Sequence, residues 1–401
     1  MHQLSDGKIH SAKTDWSAVL YLLLGGVIVA FQLGKVSPNL PLILTEFNMS
    51  RVSAGVFVSI FSLIGVGIGT FAGGILSRVS VNMITFCAFS ILIISGIVAA
   101  FSQTLSMIFL CRVLEGMCFV AIVVTYPTYI SRITAPKDRA IAMSMWSVFI
   151  PLGFCLSILS SIVLSHFETW RYVWLVGSAF SIIYLFGAFL SPLLNNSILQ
   201  HSQHTSIDYR SIFSNKNFIK LSLLFTFYAF QWITIIAWFP MFLIEQFELN
   251  SSSSAICTLL IILVNIPGNL LGGRLNKIYL RPSEILRIAT IIMFSCIIGI
   301  FGVKFSPVIS VFCAIVFSFF AGMVPATLFA TVPIFSSSIT QLGGANGMLF
   351  QGSALGQLIG SPIVAVFVTY GNGKWEYAVI PLLLLSIMQF LLSSSLRSTG
   401  H

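Results

Sequence analysis

Three ionisable side chains interrupt otherwise apolar stretches of the chain: Lys35, Arg112 and Glu115. Lys35 lies in FQLGKVSPNLP, Phe31 to Pro41, directly after the apolar run WSAVLYLLLGGVIVA. Arg112 and Glu115 lie in FLCRVLEGMCFV. Charged groups in hydrocarbon pair with one another or mark a path for substrate and protons. Lys35 and Arg112 suit an anion, and Arg112 can grip a carboxylate or phosphate through two parallel N–H groups. Glu115 is the one deep carboxylate, which makes it the candidate for reversible protonation.

Spacing sharpens this set. Arg112 and Glu115 are three positions apart and project from one helix face. Gln32 and Asn39 stand at −3 and +4 from Lys35 and share its face, as a polar wall requires. Pro38 and Pro41 remove two N–H donors from the same helix, either as a simple kink or to open the backbone beside a cavity. Two readings of the three charges stand open. In one, Glu115 only neutralises the cations and fixes helix packing. In the other, the net charge of +1 left by two cations and one carboxylate is completed by a bound anion.

The second half of the chain supplies neutral polar and aromatic groups. Tyr228, Gln231 and Trp232 lie in FYAFQWITIIAWFP, and Asn265 and Asn269 are one helical turn apart. Asn346, Gln351 and Gln357 follow in a later span. Each reads as an interhelical hydrogen bond or as one wall of a binding cavity. Glu245 and Glu284 fall at helix ends, where a solvated carboxylate is expected.

Helices in a membrane must hold these residues. Apolar residues make up 57% of the 401 and charged residues only 8%, against about 25% in an ordinary soluble domain. The expected class is an all-α polytopic membrane protein embedded in a lipid bilayer. Twelve spans are predicted, at 16–44, 52–73, 82–101, 105–130, 140–164, 171–193, 218–245, 252–273, 284–303, 307–333, 345–369 and 375–395. No stretch alternates with period two, which argues against a β-barrel. At about 1.5 Å per residue, Lys35 is roughly 16 Å from Glu46, and Arg112 and Glu115 are roughly 9 and 14 Å from Ser106. The three charges therefore share one slab of the membrane.

An even number of spans puts both termini on one side. Basic residues crowd the loops on that side, including Lys8, Lys13, Arg78, Arg132, Lys137, Arg139, Arg210, Lys216 and Arg274, so both termini are expected in the cytoplasm. This distribution explains the net charge of +9 without any basic run for nucleic acid. The polar connection 195–217 divides the chain into expected bundles at 1–194 and 218–401. The halves repeat weakly: GTFAGGILSRV from Gly69 and GNLLGGRLNKI from Gly268 are offset by 268 − 69 = 199 positions. The seven cysteines fall in apolar stretches at no metal-binding spacing, and the chain shows no nucleophile–base pair and no phosphate-binding loop. No enzyme activity and no cofactor are expected. The polar first fifteen residues precede an apolar run too long for a signal peptide, which reads as a retained first helix.

With twelve spans and a half-repeat in view, the chain resembles the major facilitator superfamily of transporters. The loop GGILSRVSVN keeps Gly73 and Arg78 of that family's gating-loop motif, while Ser77 and Ser80 replace its usual Asp and second Gly. Arg112 and Gly116 match the family's Arg-x-x-x-Gly pattern, and TWRYVWLVG resembles the start of its sixth helix. Pro151 and Gly153 only approximate the antiporter signature. The resemblance implies two six-helix bundles around a central cavity, alternating access by rocking, and an ion or solute gradient as the driving force. It also implies that helices 1 and 4 line the cavity. The leading expectation is proton-coupled uptake of a small organic anion by a functional monomer in a bacterial-type cytoplasmic (inner) membrane. Gln32, Lys35, Asn39, Arg112, Tyr228, Gln231, Trp232, Asn265 and Gln351 would contact the substrate, and Glu115 would carry the proton. The alternative is a proton-antiport exporter of a drug, metabolite or metal-chelating acid.

Overall fold

Hydrocarbon offers the backbone no hydrogen-bond partner, so each apolar stretch of about 20 residues must satisfy its own N–H and C=O groups as a helix. A computed structural model describes residues 14–76, 79–190, 209–278, 281–302, 306–336 and 339–396. Among these residues, twelve helices long and apolar enough to cross a membrane follow in order. They are α1 Trp16–Glu46, α2 Arg51–Leu76, α3 Val81–Phe101, α4 Leu105–Ile133, α5 Phe149–Phe167 and α6 Arg171–Phe189. The second set is α7 Lys216–Phe247, α8 Ser251–Leu275, α9 Pro282–Gly302, α10 Pro307–Phe335, α11 Gln341–Tyr370 and α12 Trp375–Ser394. Among the described residues there is no strand. Helices α1–α6 form one bundle and α7–α12 the other, and the two meet along α2–α11, α1–α7 and α5–α8.

Two departures from the regular spans that hydropathy predicts have a proline behind them. The first helix is interrupted at Lys35, between the segments Trp16–Gly34 and Val36–Glu46. Pro38 has no N–H to give the Gly34 carbonyl, so the ladder lapses one turn before it. The fifth was expected as one helix over 140–164. It is instead a short helix, Arg139–Trp146, and a longer one beginning at Phe149, separated at Ser147 and Val148. Pro151 accounts for this break in the same way, since it has no N–H to continue the helical ladder.

The connection 195–217 is also less uniform than its polarity suggests. Its described part holds a helical turn, Tyr209–Ser214, and α7 already starts at Lys216. The rings of Tyr209 and Phe213 pack on Phe71 of α2, at 4.9 and 6.0 Å between centroids. Arg78 of the expected gating loop lies outside the described residues; Gly73 is the last-turn neighbour of Val124. All seven cysteines are unpaired.

Candidate functional site

Lys35 sits at the interruption of α1, and its ammonium is enclosed by protein. Its Nζ donates to Gln32 Oε1 at 2.5 Å and to Glu115 Oε1 at 2.7 Å. The indole of Trp174 on α6 covers it, with the ring centroid 4.4 Å away. Glu115 gives its second oxygen to Arg112, whose Nη1 lies 2.6 Å from Oε2. The same Nη1 donates to the Gln32 carbonyl at 2.7 Å. One carboxylate therefore serves two cations, and all three side chains are no more than 1% exposed.

The equal depth expected of these residues is thus realised as contact, inside the first bundle between α1, α2, α4 and α6. A pair this deep is weak evidence for stability, because desolvation offsets the attraction; removing one partner costs about 3–5 kcal/mol. Two polar atoms of the cluster have no hydrogen-bond partner: Arg112 Nε and Nη2. These two N–H groups form the side of the guanidinium that matches a carboxylate bidentately. Phe61 covers the guanidinium face, with its centroid 4.6 Å from Cζ, and Phe57 lies at 5.9 Å.

The Arg-x-x-x-Gly spacing has a steric reason here. A Cβ on Gly116 would lie 1.8 Å from the Phe61 carbonyl oxygen. Only glycine lets α4 approach α2 so closely, and that approach lays Phe61 over Arg112 one turn away. Gly153 has a similar role at α1: a Cβ there would lie 2.5 Å from the Val27 carbonyl oxygen.

The other site candidates separate into distinct groups. Asn39 shares the Lys35 helix face but points its amide at the Lys35 carbonyl, 2.7 Å away, and at Ser161 Oγ on α5, 2.9 Å away. Tyr228 and Trp232 stack along α7 with centroids 6.5 Å apart. Trp232 reaches the other bundle through Phe154 of α5, at 5.8 Å, and its N–H donates to Ser318 Oγ at 3.3 Å. Asn265 donates to the Ser318 carbonyl at 2.9 Å. Gln231 turns toward α12 instead, donating to Gln389 Oε1 at 2.9 Å and accepting from Ser386 at 3.0 Å. Gln351 spans the seam between bundles: its amide donates to the Val66 carbonyl at 2.6 Å, and its carbonyl accepts from Thr70. Gln357 accepts from Ser62 across the same seam at 2.9 Å.

Three contributors escaped the sequence reading. Trp174 and Phe61 cover the two cations, and the Gly177 carbonyl accepts from the Gln32 amide at 3.4 Å. Trp174 and Gly177 belong to TWRYVWLVG, so an indole one turn into the sixth span was the available signal. Glu245 corrects a second expectation. It is not simply solvated: both its oxygens accept from Arg51 Nη2, at 3.0 and 2.9 Å. Glu284 accepts from the Arg281 backbone N–H at 3.1 Å and caps α9.

Known proteins resemble this chain over much of its length. The family profile of the Major Facilitator Superfamily matches residues 22–340. The probable metabolite transport protein CsbC of Bacillus subtilis (strain 168) is 29% identical over 157 residues, 39% of this chain and 33% of the relative. The galactose-proton symporter of Escherichia coli (strain K12) is 27% identical over 194 residues, 46% of this chain and 40% of the relative. A hexuronate transporter of Bacillus subtilis (strain 168) is 25% identical over 281 residues, 65% of this chain and 64% of the relative. In each case the chain spans less than two thirds of the relative's length. The crystal structure of a D-xylose-proton symporter superposes with a TM-score of 0.75 at 16% identity, covering 95% of this chain and 97% of that one. That likeness carries the fold.

Proposed function

Because the chain belongs to the Major Facilitator Superfamily, we propose that it is a secondary transporter that takes up a small organic anion with a proton. The bundles 1–194 and 218–401 rock about the connection between them, in a bacterial inner membrane with both termini in the cytoplasm. One observation carries the choice of cargo: Arg112 is buried and charged, yet its Nε and Nη2 have no partner. Lys35, Arg112 and Glu115 together keep a net charge of +1. A carboxylate seated on the free side of Arg112 would supply both the missing acceptors and the missing charge.

The same geometry suggests how a proton is coupled. While no cargo is bound, Glu115 is shared between Lys35 and Arg112 and offsets one of their two charges. An anion beside it repels its carboxylate, and uptake of a proton relieves the repulsion. Cargo and proton then favour each other's binding, which is the linkage symport requires. The similarity to a hexuronate transporter fits this reading, since a hexuronate is a sugar that carries a carboxylate. The galactose-proton relative likewise fits proton coupling. In this reading the uncharged part of the cargo meets Trp232 and Tyr228, which stack on each other, with Trp232 against Phe154 of the other bundle.

The test is a thermal-shift screen of purified protein against sugar acids and other carboxylates, neutral sugars and cationic drugs. It is paired with uptake by Lys35→Ala and Lys35→Glu proteins that insert normally. Stabilisation by carboxylates, with uptake reduced at least tenfold in both variants, is the expected result. Unchanged anion uptake in both variants, or stabilisation by cationic drugs alone, overturns it.

A further inference from the structure

The two halves end their first helices alike. Helix α1 closes with Phe47 and left-handed Asn48, φ 48°, and Ser50 then caps α2 by accepting from Ser53 N at 3.1 Å. Helix α7 closes with Phe247 and left-handed Glu248, φ 56°, and Asn250 then accepts from Ser253 N at 2.7 Å. Each half places a glutamate in the last turn before this corner, Glu46 and Glu245. Each glutamate accepts an indole N–H from a tryptophan opening the sixth helix of its own half. Trp170 Nε1 lies 2.6 Å from Glu46 Oε2, and Trp375 Nε1 lies 2.9 Å from Glu245 Oε2.

The copies differ in where the cation comes from. After Trp170 comes Arg171, which pairs with Glu46, so the first half closes its charge within one bundle. After Trp375 comes Glu376, and no cation is supplied at that position. Glu245 takes Arg51 instead, from the start of α2 in the other bundle. The Arg51 guanidinium also lies 5.7 Å from the Trp375 ring centroid. A tie that is internal in one half is thereby turned into a bridge between bundles in the other. Further contacts join the bundles in the half of the membrane beyond Lys35. Ser37 Oγ donates to the Ile236 carbonyl at 2.6 Å, and the Ser165 and Ser252 hydroxyls lie 3.4 Å apart.

We infer that Arg51–Glu245, seated on Trp375, is a latch that closes the face of the transporter opposite the termini and opens once per cycle, while Glu46–Arg171 is a static tie. Both latch side chains are about a quarter exposed, at 26% and 28%. Water can replace each partner, so opening is easy and the latch biases the equilibrium instead of locking it. An exposed pair of this kind shifts a population by about fivefold at most. The inference rests on alternating access between the bundles, and not on the identity of the cargo.

The test uses spin labels at Gln103 and Asn372, on loops of the two bundles at that face, in a protein whose native cysteines are replaced. Double electron–electron resonance without cargo reads the share of molecules open there. Glu245→Gln and Arg51→Gln are expected to raise the open share about threefold to fivefold, and the exchange Arg51→Glu with Glu245→Arg to restore it. Glu46→Gln is expected to lower the melting temperature and leave the distance distribution unchanged. Unchanged distributions in Glu245→Gln and Arg51→Gln overturn the latch, as does an equal change in Glu46→Gln. A single fixed distance in the parent and in every variant overturns alternating access, and the latch with it.

Discussion

Glu115 holds Lys35 at 2.7 Å across the gap between α4 and α1, from eighty positions further along the chain. Its other oxygen holds Arg112, one turn earlier on its own helix. A single carboxylate thus stands between two cations that would otherwise repel each other in a medium of low dielectric. This makes Glu115 the pivot of the cluster, in charge and in position.

Replacing Glu115 with Gln should separate coupling from binding. The amide keeps the shape but cannot take up a proton. Gradient-driven uptake is expected to fall at least tenfold in proteoliposomes, while counterflow of labelled cargo without a gradient persists. Equal loss of both would mean that Glu115 only fixes the helices.

Trp174 should matter through its ring. Its centroid lies 4.4 Å from the Lys35 ammonium, within the range where a desolvated cation–π contact is worth about 2 kcal/mol. Trp174→Leu is expected to destabilise the protein by about that amount in thermal denaturation, and Trp174→Phe by less than half of it. If Leu and Phe behave alike, the ring contributes packing alone.

Gln351 gives the opposite prediction for cargo. Its side chain is committed to Val66 and Thr70 across the seam between bundles. Gln351→Leu removes both bonds, and interhelical bonds of this kind are worth about 0.6 kcal/mol and at most about 1.7 kcal/mol. A small drop in melting temperature with less than a threefold change in KM is expected. A tenfold rise in KM would place Gln351 in contact with cargo after all.

Much of this is legible in the sequence alone. The helix period puts Arg112 beside Glu115, and both the break that Pro38 causes at Lys35 and the shared depth of Lys35 and Arg112 follow from local rules. Gln231 and Trp232 show where such rules stop. They are adjacent on α7, yet one turns to Gln389 within its bundle and the other meets Phe154 of the opposite bundle. A list of polar residues on one span does not say which neighbour each will find.

By itself, the sequence determined twelve helices, because in hydrocarbon a backbone can satisfy its hydrogen bonds only locally. It also determined which side chains carry charge at depth, because so few interrupt the apolar spans. Only the tertiary structure decided the partners. That Lys35 ends on Glu115 beneath Trp174, and that Arg51 crosses to Glu245 while Arg171 stays with Glu46, depends on how helices far apart in the chain rotate and pack. Those rotations are set by close approaches such as Gly116 on Phe61, which the packing of the whole bundle resolves at once.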